Sequence, residues 1–269
     1  VVQQPAAIFE AMSTIRLRFL GTGTSQGVPV VACACSVCRS TDPRDARLRS
    51  SVLLSVGGAD LLIDAGPDLR QQLLRAQISS VDAVLLTHDH MDHVAGLDDL
   101  RALNFHLRRP MDIHSNADTL ASIRRMYHYA FAEDRYPGVP ELRLHEVPGD
   151  RMHVAGVDLE VITVMHGHMP VLGFRHGPLA YITDAKWIAP DQLDRLRGLE
   201  VLVINALRIK EHPTHFNLAE ALDIVAELAP KRAYFTHISH LLGLHADVEG
   251  TLPPNVQLAV DGLEVLVEG

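Results

Sequence analysis

The sequence predicts an α/β layered protein, and three observations carry that prediction. Short apolar runs recur along the chain, bounded by glycine, proline, asparagine or aspartate, as strands are. Longer segments with helical spacing of apolar residues lie between them. Several runs end directly in histidine or aspartate, so the side chains able to do chemistry collect where strands end. With 269 residues and 47% hydrophobic content, the chain has ample apolar material for a buried core.

Residues 15–20 alternate as an edge or half-buried strand and lead into the turn Gly21-Thr22-Gly23-Thr24-Ser25-Gln26-Gly27. Its G-x-G-x-x-x-G spacing, with no amphipathic helix behind it, argues against a dinucleotide loop. Cys33, Cys35 and Cys38 follow at C-x-C-x₂-C spacing. Thiolates this close repel one another unless a divalent cation neutralises them, and zinc takes four such ligands tetrahedrally. They are the chain's only cysteines, so a fourth ligand has to be histidine, carboxylate or water.

Residues 51–56 and 61–63 read as a strand pair turned at Gly57-Gly58 and ending in Asp64. A carboxylate there suits the outer N–H of a metal-binding imidazole, with capping of a helix near Pro67 as the competing role. Residues 81–86 form a buried strand that runs into Thr87-His88-Asp89-His90-Met91-Asp92-His93. In an extended segment His88 and His90 share one side and can grip one metal, while a tighter turn at Asp92-His93 presents a second pair. Residues 96–107 and 116–130 are expected as helices around a short strand at 111–114. Arg101, Arg108, Arg109, Arg124 and Arg125 are expected on a solvated helix face.

Residues 137–140 mark a loop without a change of composition, so no domain boundary is drawn there. Residues 157–164 alternate as a strand before His166-Gly167-His168. One of these histidines is expected to complete a metal site, and His166 is favoured as nearer the strand end. Residues 179–183 form a strand ending in Asp184, repeating the strand-then-aspartate pattern at Asp64, as two β-rich halves packed face to face would. Asp184 is the candidate carboxylate for bridging two cations; its competing role is capping a helix at 187–196. Residues 201–204 are a buried strand, and Asn217-Leu218-Ala219-Glu220 fits a capping box. His215 therefore stands just ahead of a helix N-terminus, where an anionic phosphoryl group is favoured. Residues 233–236 are another apolar strand, before His237-Ile238-Ser239-His240.

A net charge of −9 argues against an extended nucleic-acid partner. No apolar run of about 18 residues is present, so no membrane span is expected. The lack of an even cysteine framework points to a reducing compartment, read as cytoplasmic. Residues 1–13 are expected to be a flexible leader or cloning remnant, with one hydrolase domain over residues 14–269.

The H-x-H-x-D-H run after an apolar strand resembles the signature of the metallo-β-lactamase superfamily. That implies an αββα sandwich, two mixed sheets flanked by helices, and a metal hydrolase. The stretch Leu20–Gly27 resembles the first strand and loop of one branch of that superfamily, and the cysteine cluster and the Thr-His-Ile-Ser-His run ending in His240 are similar to the phosphoribosyl cyclic phosphodiesterase branch. The resemblance implies one catalytic metal on His88, His90 and His166 and another on Asp92, His93 and His237, with Asp184 bridging. Asp92 then counts among the catalytic residues as well as the ligands. It further implies a structural zinc on Cys33, Cys35, Cys38 and His240, and His215 beside the scissile phosphate. The catalytic pair is expected to be Zn or Mn, with Fe or Ni compatible.

The reaction so implied is hydrolysis of a small, cyclic phosphodiester by a hydroxide activated between two cations, with homodimerisation an open option. A carbonyl hydrolase of the same fold is the first rival and leaves His215 without a task. A tRNA-processing nuclease would need a basic arm that the sequence lacks. The PQQ-biosynthesis protein B shares the cysteine spacing and offers a non-enzymatic reading, against which the intact H-x-H-x-D-H and Asp184 speak. The longer spacing after His166-Gly167-His168 departs from the phosphodiesterase branch and bears on the substrate.

Overall fold

The computed structural model describes residues 14–268, so the leader expected at residues 1–13 lies outside the described residues. In chain order the strands are β1 (Thr14–Gly21), β2 (Ser51–Val56), β3 (Ala59–Ile63), β4 (Ala83–Leu85), β5 (Met111–Ser115) and β6 (Leu142–Glu146). They continue as β7 (Arg151–Val154), β8 (Val157–His166), β9 (Met169–His176), β10 (Leu179–Tyr181) and β11 (Trp187–Ile188). The last are β12 (Val201–Asn205), β13 (Arg232–Thr236), β14 (Val256–Leu258) and β15 (Glu264–Glu268). One sheet has the order β15-β1-β2-β3-β4-β5-β6; the other runs β11-β8-β9-β10-β12-β13-β14, with β7 also paired to β8.

Period-two alternation explains the layering. Leu61 and Ile63 of β3 face inward with Val201 and Val203 of β12, forming the core between the sheets. Leu62 faces outward under α1 (Leu69–Ala76), and Leu202 and Ile204 face outward under a later helix, α7 (Leu218–Leu228). Strands covered on both faces carry apolar residues at every position, which is why these segments read as continuous apolar runs. Each fully buried Leu or Ile contributes about 1.5–3 kcal/mol. The result is the expected αββα sandwich.

Parallel pairing decides where the site forms. β3, β4 and β5 are mutually parallel, as are β10, β12 and β13. Their C-terminal ends therefore present Asp64, the His88–His93 run, Asp184 and His237 together at one end of the sandwich. Loops at such strand ends are the usual site in α/β sheets.

β1 is the half-buried alternative of the two expected, with β2 paired on one side and β15 on the other. Two expectations change. Residues 187–196 are not one helix: Trp187 and Ile188 pair with β8, and Pro190 opens the short helix α6 (Pro190–Asp194), so the segment is split by strand pairing. Arg109 is not on a solvated helix face; it follows α3 (Arg101–Leu107) and donates to the Val81 carbonyl and the Asp82 carboxylate. No helix among the described residues is long and apolar enough to cross a membrane.

Candidate active site

Three strands end with the same backbone device. Asp64 and His237 directly follow β3 and β13, Asp184 stands three residues past the end of β10, and each has a positive φ, of 64°, 55° and 55° for Asp64, Asp184 and His237 respectively. Non-glycine residues adopt this region rarely, at a cost of about 1–3 kcal/mol that the surroundings must offset. Asp64 is held by Thr87, whose N–H and hydroxyl donate to its carboxylate at 2.8 and 2.9 Å. Asn205 clamps the turn after Asp184, accepting from the Ala185 N–H at 2.7 Å and donating to the Ala185 carbonyl at 3.0 Å. Beside His237, Ile238 donates to the Thr22 carbonyl and accepts from the Thr24 N–H.

The motif loop is seated by two glycines. His93 lies in α2 (Met91–Val94), whose backbone docks on the Asp64 turn through Ala65 N–H to the His93 carbonyl at 2.7 Å. A Cβ on Gly66 would strike the Asp92 carbonyl, and one on Gly96 would strike the Gly66 carbonyl. Only glycine permits this approach.

Outer hydrogen bonds turn the imidazoles toward a common centre. His93 Nδ1 donates to Asp64 at 2.7 Å, leaving its fully buried Nε2 without a hydrogen bond. Asp64 thus takes the acceptor role and not the helix cap. His166 Nδ1 donates to the Thr214 carbonyl at 2.7 Å, so its Nε2 is the free nitrogen; His168 is exposed. His88 meets the Thr87 hydroxyl through Nδ1 at 2.9 Å, and its buried Nε2 also has no partner. His237 lies 3.2 Å from Ser50 Oγ through Nδ1 and 3.2 Å from Asp184 Oδ1 through Nε2.

Donor atoms of Asp92, His93, Asp184 and His237 lie within 4.8 Å of one another, and so do those of His166, Asp184 and His215. Asp184 belongs to both groups, the position a bridging carboxylate requires. His88 and His90 stand somewhat outside the second group. Their rings are 4.6 Å apart and lie 5.7 and 5.1 Å from His166. His215 takes the inner place instead, because its Nε2 donates to Asp184 Oδ1 at 2.9 Å.

The electrostatics ask for a cation. Burial pushes His88 well below its ordinary range and His237 down to about 4. Burial alone would also lower His93, but Asp184, Asp64 and Asp92 outweigh it and hold that imidazole well above its usual value. Burial works against ionisation of Asp184, yet His237 and His93 hold its carboxyl well below the ordinary range. Carboxylates converging on His93 Nε2, at 3.1 Å from Asp92 and 3.3 Å from Asp184, beside the partnerless buried Nε2 of His88, fit a divalent metal.

A second cluster lies apart in composition. The Cys33, Cys35 and Cys38 sulfurs are 3.3, 3.4 and 3.4 Å from His240 Nδ1, a complete tetrahedral donor set for zinc. The N–H of Cys38 and the neighbouring His240 hold the Cys35 thiol down to about 6, whereas partial burial raises Cys38 to about 11.

Sequence reasoning missed the hydroxyls that serve the site. Thr24, Ser50, Thr87, Thr183 and Thr214 each contact a site histidine or aspartate. A signal existed: Thr87-His88, Thr183-Asp184 and Thr236-His237 repeat a strand ending in threonine just before the site residue.

Residues 60–238 match the β-lactamase superfamily domain, and the chain belongs to the metallo-β-lactamase superfamily. It belongs to the PhnP-like branch of that superfamily. A crystal structure described as a new diphosphatase from the PhnP family is 38% identical, with a TM-score of 0.89, covering 95% of this chain and 98% of that one. A Porphyromonas gingivalis protein named octanoyltransferase is 43% identical over 257 residues, 94% of this chain but only 52% of that protein. The chain thus spans about half the length of that relative. Coenzyme PQQ synthesis protein B of Methylorubrum populi is 30% identical over 227 residues, 71% of this chain and 73% of that protein.

Proposed function

We propose that this protein hydrolyses a small phosphodiester, a cyclic one such as a phosphoribosyl cyclic phosphate being the best fit. His88, His90 and His166 would hold one divalent cation and Asp92, His93 and His237 another, with Asp184 shared. The two cations would supply Lewis acidity and a water nucleophile at neutral pH. The protein orients the imidazoles through Asp64, Thr87 and the Thr214 carbonyl, and it excludes water from the fully buried side of His93.

One observation carries the phosphoryl reading. The His215 ring lies 4.4 Å from His166 and stacks on His237 at 5.0 Å, with its Nε2–H at the rim of the shared carboxylate. With both ring nitrogens protonated, His215 can donate this hydrogen to a departing alkoxide, the leaving group of an alkyl phosphodiester; a thioester, whose thiolate leaves unprotonated, would not need it. A second reading, cleavage of a P–O–P linkage, is favoured by the diphosphatase described for the 38% identical relative. Octanoyl transfer is not part of this reading, because the match covers only 52% of the protein so named.

His215→Ala tests the proposal. Metal content should stay unchanged, and turnover of a cyclic ribose phosphate should fall roughly 10²–10⁴-fold. Bis(p-nitrophenyl) phosphate should lose much less, since p-nitrophenolate leaves without a proton. A phosphate leaving group is similarly undemanding, so strong parent turnover of a dinucleoside diphosphate with little loss in the variant would select the second reading. Turnover of nitrocefin or a glutathione thioester, with none of the phosphate esters cleaved, would overturn both.

A further inference from the structure

Thr214 touches three histidines at once. Its carbonyl accepts from His166 Nδ1 at 2.7 Å. Its N–H donates to His212 Nδ1 at 3.3 Å. Its hydroxyl lies 3.0 Å from His215 Nδ1 and 3.2 Å from His212 Nδ1, and the two Nδ1 atoms are 3.2 Å apart. The side chain is wedged in place: a Cβ on Gly167 would come within 3.1 Å of the Thr214 methyl, so the glycine after His166 leaves the room it needs.

A neutral imidazole that gave up its Nε2 proton would be left as an imidazolate, so a proton donor at this position carries hydrogen on both ring nitrogens. Asp184 as a carboxylate can only accept, and it takes the Nε2–H at 2.9 Å. The Nδ1–H then needs an acceptor, and the Thr214 hydroxyl oxygen stands 3.0 Å away. That hydroxyl passes its own hydrogen to His212 Nδ1 at 3.2 Å, the acceptor that the Thr214 N–H also meets at 3.3 Å.

We propose that Thr214, held by His212, is the positioning residue that fixes the ring orientation of His215, accepting its Nδ1–H so that Nε2–H is aimed at the leaving oxygen. This rests on the reading of His215 as proton donor. Thr214 thereby orders two neighbouring groups by separate means: the backbone carbonyl sets His166, and the side-chain hydroxyl sets His215. The separation makes the hydroxyl testable, because a side-chain change leaves the carbonyl in place.

Thr214→Val removes the hydroxyl at nearly constant volume. It should lower kcat on a cyclic ribose phosphate about 10–100-fold, in the range for groups that orient an active-site side chain, with KM little changed. Hydrolysis of bis(p-nitrophenyl) phosphate and metal content should stay near the parent values, and Thr214→Ser should restore most of the lost rate. His215→Ala is measured alongside. If His215→Ala slows the cyclic ester and Thr214→Val does not, the positioning role is overturned while the proton-donor reading stands. If His215→Ala has no effect on the cyclic ester, the proton-donor reading fails and this inference with it. Equal loss on both substrates together with loss of metal would show Thr214 acting through His166 alone, which also overturns it.

Discussion

The two donor clusters share one short segment and differ in almost everything else. His237 and His240 are three residues apart, yet His237 joins buried carboxylates and imidazoles while His240 joins three part-exposed thiols. The cysteine cluster draws on two loops, and a zinc held by its four donors would have no open position for a substrate. The histidine–aspartate cluster draws on strand ends of both sheets, and outer partners such as Asp64 for His93 and the Thr214 carbonyl for His166 turn its imidazoles inward. A closed, soft set holds a loop in place; a harder set with free nitrogens and an exposed edge at His90 can admit a reactant.

The largest expected effect comes from the residue both inner groups share. Asp184→Ala should reduce phosphodiester hydrolysis by about 10³-fold or more, since it removes charge from both cation positions. The melting temperature should change little, and a rate within tenfold of the parent would mean that Asp184 bridges nothing.

Asp64→Asn leaves the central donors in place and alters only the outer partner of His93. A loss of about 10–100-fold is expected, with weaker metal retention. Unaltered metal affinity and rate would remove Asp64 from the machinery.

Cys35→Ser should release the zinc of the thiolate cluster and lower the melting temperature by on the order of 5 °C. It should slow hydrolysis only several-fold, through the Ile238 backbone that ties this segment to Thr22 and Thr24. A rate loss as large as that of Asp184→Ala would erase the distinction between the clusters.

The smallest effect is a pH slope. Cys38, raised to about 11, must give up a proton to zinc at neutral pH, whereas Cys35, lowered to about 6, is already a thiolate there. Zinc affinity of the metal-free protein should therefore rise with pH, and its dependence should steepen below about pH 6, where Cys35 also gains a proton that zinc has to displace. Calorimetric titrations across that range check this, and a constant slope through pH 6 would contradict the assignment.

The same contrast explains what could be read from the chain. The cysteine spacing, the H-x-H-x-D-H run and the capping box at Asn217–Glu220 are local patterns, so their chemistry was visible without a fold. Asp184 was visible as a strand end, although its partners were not. Ser50 and His237 are 187 positions apart, and His215 reaches Asp184 only because β10 and β12 run in parallel. Such contacts leave no mark on spacing, and for that reason His215, and not His88 or His90, was found closest to His166 and Asp184. β6, β14 and β15 are illegible for a related reason. Their segments alternate with charged residues or are very short, and their pairing comes from strands distant in sequence.

Brief treatment with EDTA followed by elemental analysis and assay tests the two-cluster account most directly. The metal-loaded protein should start with about three ions per chain, and EDTA should strip the histidine–aspartate pair quickly and abolish hydrolysis. One zinc should remain with Cys33, Cys35, Cys38 and His240, the fold should stay intact, and Mn or Zn should restore the rate. Activity that survives with only the cysteine-bound zinc present, or loss of all ions together with the fold, would contradict it.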